Sequence, residues 1–191
     1  MLPLLTLLSL VAAPVAAEPE AIATTVCVAC HGPQGHSAIP QFPVLAGQNA
    51  EYIAKELDDF ASGRRASDAM TAILANVSDS EFEGLAAYYA KQTPVRARTT
   101  NIVMSAIGRD IYRRGVEERG IPACSSCHLE RGEGSERYPR IAGQHPEYSL
   151  QQLKDFQSGA RANDKGRAMR IAVQKLSEEE MRALVAYLAG L

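Results

Sequence analysis

The chain has 191 residues, of which 46% are hydrophobic, and its 20 basic and 22 acidic side chains leave a formal net charge of −2. A balance this close to neutral does not favour a nucleic-acid partner, which attracts a basic surface. After residue 17 no stretch reaches the roughly 20 apolar residues that a membrane span needs. The remainder is long enough for one mid-sized domain or two small ones.

Residues 2–17 form an apolar run with a proline near its end and small residues at Val15 and Ala17. This composition is typical of a secretory signal peptide, and we expect cleavage before Glu18. No lysine or arginine precedes the run, which leaves an uncleaved membrane anchor as the alternative. The segment predicts export from the cytoplasm, as a protein that is soluble or loosely associated with a membrane surface.

Two five-residue motifs, Cys27–His31 and Cys124–His128, contain all four cysteines of the chain. Two thiols three residues apart, followed at once by an imidazole, can add to the two vinyl groups of one haem and ligate its iron. Paired disulfides or a four-cysteine zinc cluster are the alternatives, but neither calls for that histidine. The motifs therefore predict two covalently bound haem c groups. The attaching residues are Cys27, Cys30, Cys124 and Cys127, and the iron ligands are His31 and His128.

The motifs belong to an internal duplication. Cys27 recurs 97 residues later as Cys124, and the offset is 96 for most of the following positions and 99 after a three-residue insertion between Asp164 and Met169. The residues that recur at 96 include Tyr52, Phe60, Gly63, Arg65 and Asp68. The duplication predicts a signal peptide over 1–17, a first domain over 18–91, a linker over 92–105 and a second domain over 106–191.

Helical patterns dominate each copy and no stretch alternates as a strand would, so the fold class is predicted to be all-α. Asn49 is expected to cap a helix that stops before Gly63, and Ser78 with Glu81 is expected to form a capping box. Ser177 and Glu180 repeat that box in the second copy.

The segments that lead into the two motifs differ in length. Residues 91–105 contain Pro94 and no apolar periodicity, which predicts an extended connector. Residues 106–117 predict a helix before the second motif. Only residues 18–26 are available for the same role in the first copy, where we expect a shortened helix.

A sixth ligand on each iron would decide between electron transfer and the binding of small molecules. Met70 and Met169 occupy equivalent positions in the repeat, whereas the packing residue Met181 is matched by Phe82. We therefore predict Met70 and Met169 as axial ligands, against the alternative that they fill the core.

Other repeated side chains suggest supporting roles. The carbonyls of Pro43 and Pro139 are candidates to accept the proximal imidazole protons, unless these are ordinary loop prolines. Arg65 and Arg161 are candidates to pair with haem propionates, unless they are exposed to solvent. His36 and His145 do not recur and are assigned no iron.

Two Cys-x-x-Cys-His motifs, the tetrads at 45–48 and 141–144, and a methionine after each of the stretches 62–68 and 158–164 resemble the dihaem cytochrome c4 family. The resemblance covers essentially all of the chain after the signal segment. It implies two tandem class I cytochrome c domains related by a pseudo-twofold axis, low-spin His/Met haems, and periplasmic electron transfer toward a terminal oxidase.

The sequence thus predicts an electron carrier rather than an enzyme, without a small-molecule substrate. The predicted partners are redox proteins, with a quinol-oxidising complex as donor and a terminal oxidase as acceptor. The alternatives are the cytochrome subunit of a flavin-dependent sulfide or alcohol dehydrogenase, and a dihaem peroxidase. The first haem site is expected to be the less tightly held, because its leading helix and its distal segment are shorter.

Charge is distributed unevenly along the chain. Residues 18–91 carry 10 acidic and 4 basic side chains, and residues 92–191 carry 12 acidic and 16 basic ones, giving −6 and +4. We expect the second domain, with Arg113 and Arg114, to meet an acidic partner or an anionic membrane surface. The first domain, with Asp58 and Asp59, is expected to meet a basic partner.

Overall fold

The computed structural model describes residues 18–94 and 101–191, and its regular structure there is helical, as predicted. The predicted signal peptide and the centre of the predicted linker lie outside these ranges. In the described ranges, β pairing is limited to two isolated bridges, Val116 with Ile121 and Ser135 with Tyr138. No helix there is long and apolar enough to cross a membrane.

Helices α2 to α5 of the first copy recur in order as α7 to α10 of the second. The helices are α1 (Pro19–Ile22), α2 (Val28–His31), α3 (Ala50–Ala61), α4 (Asp68–Leu74), α5 (Phe82–Ala90), α6 (Ile102–Arg114), α7 (Ser125–His128), α8 (Pro146–Ser158), α9 (Ala168–Val173) and α10 (Glu178–Ala189). A π-helical turn, Ala23–Cys27, joins α1 to α2. The leading segment of the first copy is therefore short and irregular, as expected, whereas α6 has 13 residues.

The start of α6 differs from the prediction. Asn101 caps it by accepting a hydrogen bond from the Met104 amide at 3.0 Å, so the helix begins at Ile102, within the predicted linker. It ends at Arg114, because Gly115 takes a positive φ of 70° that a helix does not accommodate. The expected helix over 106–117 is thus shifted toward the amino terminus.

Two of the three predicted helix caps are wrong. Asn49 occupies the N-cap position of α3, but its side chain makes no capping bond and points to the second copy. Ser78 accepts a bond from the Ser80 amide and opens a short 3₁₀ turn, so no capping box forms with Glu81. The box of Ser177 and Glu180 is present, with bonds of 2.8 and 3.2 Å.

Each copy has its own apolar core, built around its last helix. In the second copy α10 crosses α6, and a methyl group at Gly108 would lie 1.9 Å from the Ala183 carbonyl oxygen. In the first copy α5 meets α1, and a methyl group at Gly84 would lie 2.3 Å from the ring of Pro19. Gly84 and Ala183 are repeat partners, so both copies place a small residue where the last helix meets the leading segment. This crossing brings each last helix close to a cysteine motif.

Candidate haem sites and the contact between them

Each cysteine motif forms a single helical turn that is followed by a residue with a positive φ. Gly32 follows His31 with a φ of 71°, and its counterpart Leu129 follows His128 with a φ of 65°. This conformation reverses the chain directly after the histidine. The four cysteines are half-buried and unbonded to one another.

The two histidines are buried and held by matching hydrogen bonds. His31 is 8% exposed and its Nδ1 lies 3.0 Å from the Pro43 carbonyl, while His128 is 5% exposed with its Nδ1 3.0 Å from the Pro139 carbonyl. A carbonyl only accepts, so Nδ1 carries the proton and Nε2 presents its lone pair. The predicted role of the two proline carbonyls is thereby confirmed.

Burial also fixes the protonation of these groups. It lowers the pKa of His31 and of His128, against the opposing effect of their carbonyl partners, so both imidazoles are neutral at physiological pH. Burial raises the pKa of the Cys27 thiol and raises that of Cys124 to about 11. The described residues contain no group of three or more histidine, cysteine, aspartate or glutamate side chains able to hold a metal ion.

The surroundings fit a haem attached at each motif. Each site offers two thiols, a neutral imidazole with a free nitrogen, and an apolar wall from the last helix. In the first copy, the buried hydroxyl of Tyr89 has no nitrogen or oxygen atom as a hydrogen-bond partner. Such a group normally finds a partner when buried, which is consistent with a prosthetic group beside it. When bound, a haem at each site supplies one-electron chemistry between ferric and ferrous iron.

Met70 and Met169 lie in equivalent places at the start of α4 and α9. Met70 is half-buried against Phe60, Leu74 and Phe82, and its amide donates to Ser67 Oγ at 3.3 Å. Met169 packs against the core of the second copy. Their role as axial ligands stays a prediction.

The three-residue insertion before Met169 forms a turn over Lys165–Arg167. The turn is tied back to α9 because Asp164 accepts bonds from the Arg170 amide at 3.0 Å and from Arg170 Nε at 2.7 Å. The first copy lacks this turn.

The two copies are joined by a reciprocal pair of glutamines. Gln48 Nε2 donates to the Arg140 carbonyl at 2.8 Å, and Gln48 Oε1 accepts from the Arg140 amide at 2.8 Å. Gln144 makes the same two bonds with Val44, at 3.0 and 2.9 Å. Each repeated tetrad therefore ends in a side chain that binds the backbone of the other copy, as a pseudo-twofold axis requires.

The next residue in each copy reaches the haem-attachment loop of the other. Asn49 Nδ2 donates to the carbonyls of Ser135 and Tyr138 at 2.6 and 2.7 Å. His145, its repeat partner, places Nε2 2.9 Å from the Ser37 carbonyl. The contact between the copies thus braces both attachment loops, and His145 has a structural partner other than iron.

A charged cluster lies at the centre of this contact. Glu56 Oε2 accepts bonds from Arg65 of its own copy and from Arg161 of the other, the latter at 3.0 Å. Gln152, the repeat partner of Glu56, accepts from the same two arginines at 2.7 and 2.8 Å. The Tyr148 hydroxyl accepts from Arg65 Nη2 at 3.0 Å.

The side chains of Arg65 and Arg161 are 10% and 7% exposed, so the solvent-exposed alternative is wrong for both. Each guanidinium lies 4.5 Å above the ring of a phenylalanine, Phe60 or Phe156. Burial alone would raise the pKa of Glu56, but Arg161 and Arg65 outweigh it and hold that pKa below its ordinary value. The cluster therefore centres on one ionised carboxylate that the two buried arginines share, and the exposed Lys55 contacts its other oxygen at 2.9 Å.

Sequence reasoning missed this contact. The signal was present, because polar residues recur at one offset: Gln48 with Gln144, and Arg65 with Arg161. In a duplicated chain, repeated polar side chains are expected where two copies meet around a twofold axis.

Two copies of one helical unit, each with a Cys-x-x-Cys-His turn and a neutral, oriented histidine, define a dihaem c-type cytochrome. Family models agree: cytochrome c matches residues 105–191, and cytochrome c oxidase, cbb3-type, subunit III, matches residues 14–88. The cytochrome c4 of Thiocapsa roseopersicina is 44% identical over 186 residues, covering 94% of this chain and 96% of the relative. The chain belongs to the cytochrome c4 family.

Further comparisons give the same fold and the same kind of activity. The crystal structure of reduced recombinant cytochrome c4 from Pseudomonas stutzeri superposes with a TM-score of 0.86 at 35% identity, covering 94% of this chain and all of that one. A thiosulfate dehydrogenase electron acceptor from Stutzerimonas stutzeri (strain A1501) is 36% identical over 178 residues, covering 91% of this chain and 81% of the relative. The chain is an electron-transfer protein with two covalent haem c groups, and it works with redox protein partners. This finding disfavours the peroxidase alternative.

Proposed function

We propose that His31 and Met70 ligate the first haem iron, that His128 and Met169 ligate the second, and that both haems are low-spin electron carriers. The observation that carries the proposal is the matched pair of bonds from His31 to Pro43 and from His128 to Pro139, since each leaves one imidazole nitrogen free for iron. The repeat-matched methionines support the distal assignment. A thioether opposite an imidazole favours ferrous iron, so both potentials would be high.

The ligand assignment is tested by replacing each methionine in turn. Oxidised protein has a weak long-wavelength absorbance band that reports iron–methionine sulfur bonding. Met70→Ala and Met169→Ala should each remove about half of this band and lower one potential, because each variant loses one thioether ligand. Met104→Ala is the matched control, since Met104 is half-buried in α6 and has no repeat partner. An unchanged band in either test variant would show that the ligand assignment for that copy is wrong.

We further propose that the protein works in the periplasm, between a quinol-oxidising complex and a terminal oxidase. The apolar run over residues 2–17 and the covalent haems support export, because c-type haem is attached outside the cytoplasm. Mass spectrometry of the purified protein tests export: a chain that begins at Glu18 is expected, and an intact amino terminus on a cytoplasmic protein would contradict it. Reduction by a quinol-oxidising complex and oxidation by a terminal oxidase, each measured with purified partners, test the two ends of the pathway.

A second donor is favoured by one comparison. The relative from Stutzerimonas stutzeri (strain A1501) is named as the electron acceptor of thiosulfate dehydrogenase and matches 91% of this chain. A thiosulfate-oxidising enzyme is therefore a candidate donor for this chain too. The test is haem reduction by thiosulfate in the presence of a purified thiosulfate dehydrogenase, with thiosulfate alone as control. No reduction above that control would eliminate this donor.

A further inference from the structure

Tyr89 is a buried tyrosine of α5 whose hydroxyl has no nitrogen or oxygen atom as a hydrogen-bond partner. The residue is 3% exposed, and its ring packs edge-on against Tyr88 at 5.1 Å between centroids. The other side of its ring lies against the loop after the first motif, because a methyl group at Gly35 would come within 2.9 Å of the ring. Within residues 18–94 and 101–191, no other fully buried side-chain nitrogen or oxygen atom lacks a partner.

The same hydroxyl lies beside the first haem-attaching sulfur. Cys27 packs against the core cluster that contains Tyr89 and Leu85. The pKa of Tyr89 is raised, first by burial and then by the nearby Cys27 thiol, which acts on the hydroxyl both through its charge and through hydrogen bonding. The hydroxyl and the sulfur are therefore neighbours, and the hydroxyl itself is shielded from water.

The second copy has no equivalent group. Tyr89 recurs 99 residues later as Leu188, a core residue without a hydroxyl. Tyr112 approaches Cys124 from α6, but its hydroxyl donates to the Leu129 carbonyl and is satisfied. An unpaired buried hydroxyl next to a haem-attaching cysteine is thus a feature of the first site alone.

We propose that the Tyr89 hydroxyl donates a hydrogen bond to the Cys27 sulfur in the haem-loaded protein, and that this bond raises the potential of the first haem relative to the second. A thioether sulfur is a weak acceptor, and the buried hydroxyl has no competing partner. The donated proton places the positive end of the O–H dipole toward the haem edge, which disfavours the more positive ferric state. Tyr89 would therefore act as a positioning residue for electron transfer, through the attached sulfur.

The inference rests on haem attachment at Cys27 and does not depend on Met70 as a ligand. Tyr89→Phe removes one oxygen atom and keeps the ring. At a fixed solution potential, we expect the ratio of reduced to oxidised first haem to fall roughly two- to tenfold, the range expected for one hydrogen bond. The second haem should not change. Proton NMR of the oxidised protein during a redox titration separates the two haems by their shifted methyl signals.

Three further variants make the test specific. Tyr89→Leu reproduces the second copy at this position and should shift the first haem in the same direction. Tyr88→Phe and Tyr112→Phe are the controls, because neither removes a fully buried hydroxyl that lacks a partner. Both variants should leave the ratio of reduced to oxidised first haem unchanged. An unchanged or raised ratio in Tyr89→Phe, or an equal fall in Tyr88→Phe, would overturn the proposal. The long-wavelength band, measured on the same samples, reports the methionine bond independently, so a failure of the ligand assignment would be recognised separately.

Discussion

Glu56 of the first domain and Arg161 of the second form an ion pair of 3.0 Å across the domain contact, with both side chains less than a tenth exposed. Arg65 shares the same carboxylate oxygen. At the twofold-related position stands Gln152, which contacts both arginines but carries no charge. The contact is therefore symmetric in shape and asymmetric in charge.

Replacing this carboxylate should weaken the whole molecule. Glu56→Gln leaves two buried guanidinium groups without their anion, and we expect the free energy of unfolding to fall by about 3 kcal/mol. The exposed Glu83→Gln should change it by less than about 0.5 kcal/mol. Chemical denaturation of the haem-loaded protein measures both. The double variant Glu56→Gln with Gln152→Glu moves the charge to the twofold-related position and should recover most of the loss. A double variant no more stable than the single one would contradict the symmetric arrangement.

The contribution of Glu56 should depend on pH in one direction. Its folded-state pKa lies below the ordinary value of 4.5, because the two arginines outweigh the opposing effect of burial. The unfolded state then binds more protons between the two pKa values, so the stabilisation is complete above pH 4.5 and is lost as the pH falls through the lowered value. The difference in unfolding free energy between the parent and Glu56→Gln, measured against pH, should shrink only on the acid side. A difference that grows toward low pH would refute this account.

The first haem site should release its distal ligand more easily than the second. The turn over Lys165–Arg167 and its bonds between Asp164 and Arg170 brace α9, and the first copy has no such turn before Met70. Added cyanide, or a rise in pH, should therefore displace Met70 before Met169. Asp164→Ala removes the brace and should bring the two sites closer together. If cyanide or raised pH displaced Met70 and Met169 equally easily in the parent protein, this turn would not stabilise the second distal ligand.

Charge asymmetry should steer the two domains to different partners. Arg113 and Arg114 are exposed, and Arg113 pairs with the exposed Glu130 at 3.3 Å, so the two arginines suit a test of the basic domain. Reversing both to Glu should lower the rate of electron exchange with an acidic partner about tenfold at low salt, and the effect should vanish at high salt.

The acidic domain needs a different test from the one its sequence suggests. Asp59 is 4% exposed and accepts bonds from Lys55 at 2.5 Å and from Asn163 of the other domain at 2.6 Å. Reversing Asp59 would break the domain contact and confuse steering with unfolding. The exposed Asp79 and Glu83 are the better pair, and reversing them to Lys should slow exchange with a basic partner. Exchange rates unaffected by either double reversal at any salt concentration would rule out steering.

Features set by nearby residues were predictable from the sequence. The haem motifs, the proline carbonyls 11 and 12 residues beyond the histidines, and the last helix of each copy depend on short separations along the chain. Contacts between distant segments were not. Asn49 sits where a helix cap is expected, yet its amide finds better acceptors in the loop at Ser135 and Tyr138. The local sequence pattern indicates that a side chain is polar, but it does not indicate whether that side chain will form its hydrogen bonds with water or with another domain.

The central claim is that this chain carries two covalent haems, one on each copy of a duplicated domain, and uses both to move electrons. The most direct measurement is a haem count per chain, made on protein from which free haem has been extracted, together with visible spectra of the oxidised and reduced forms. The account predicts two haems that remain attached and are low-spin in both redox states. A single haem per chain, or a high-spin iron in either state, would contradict it.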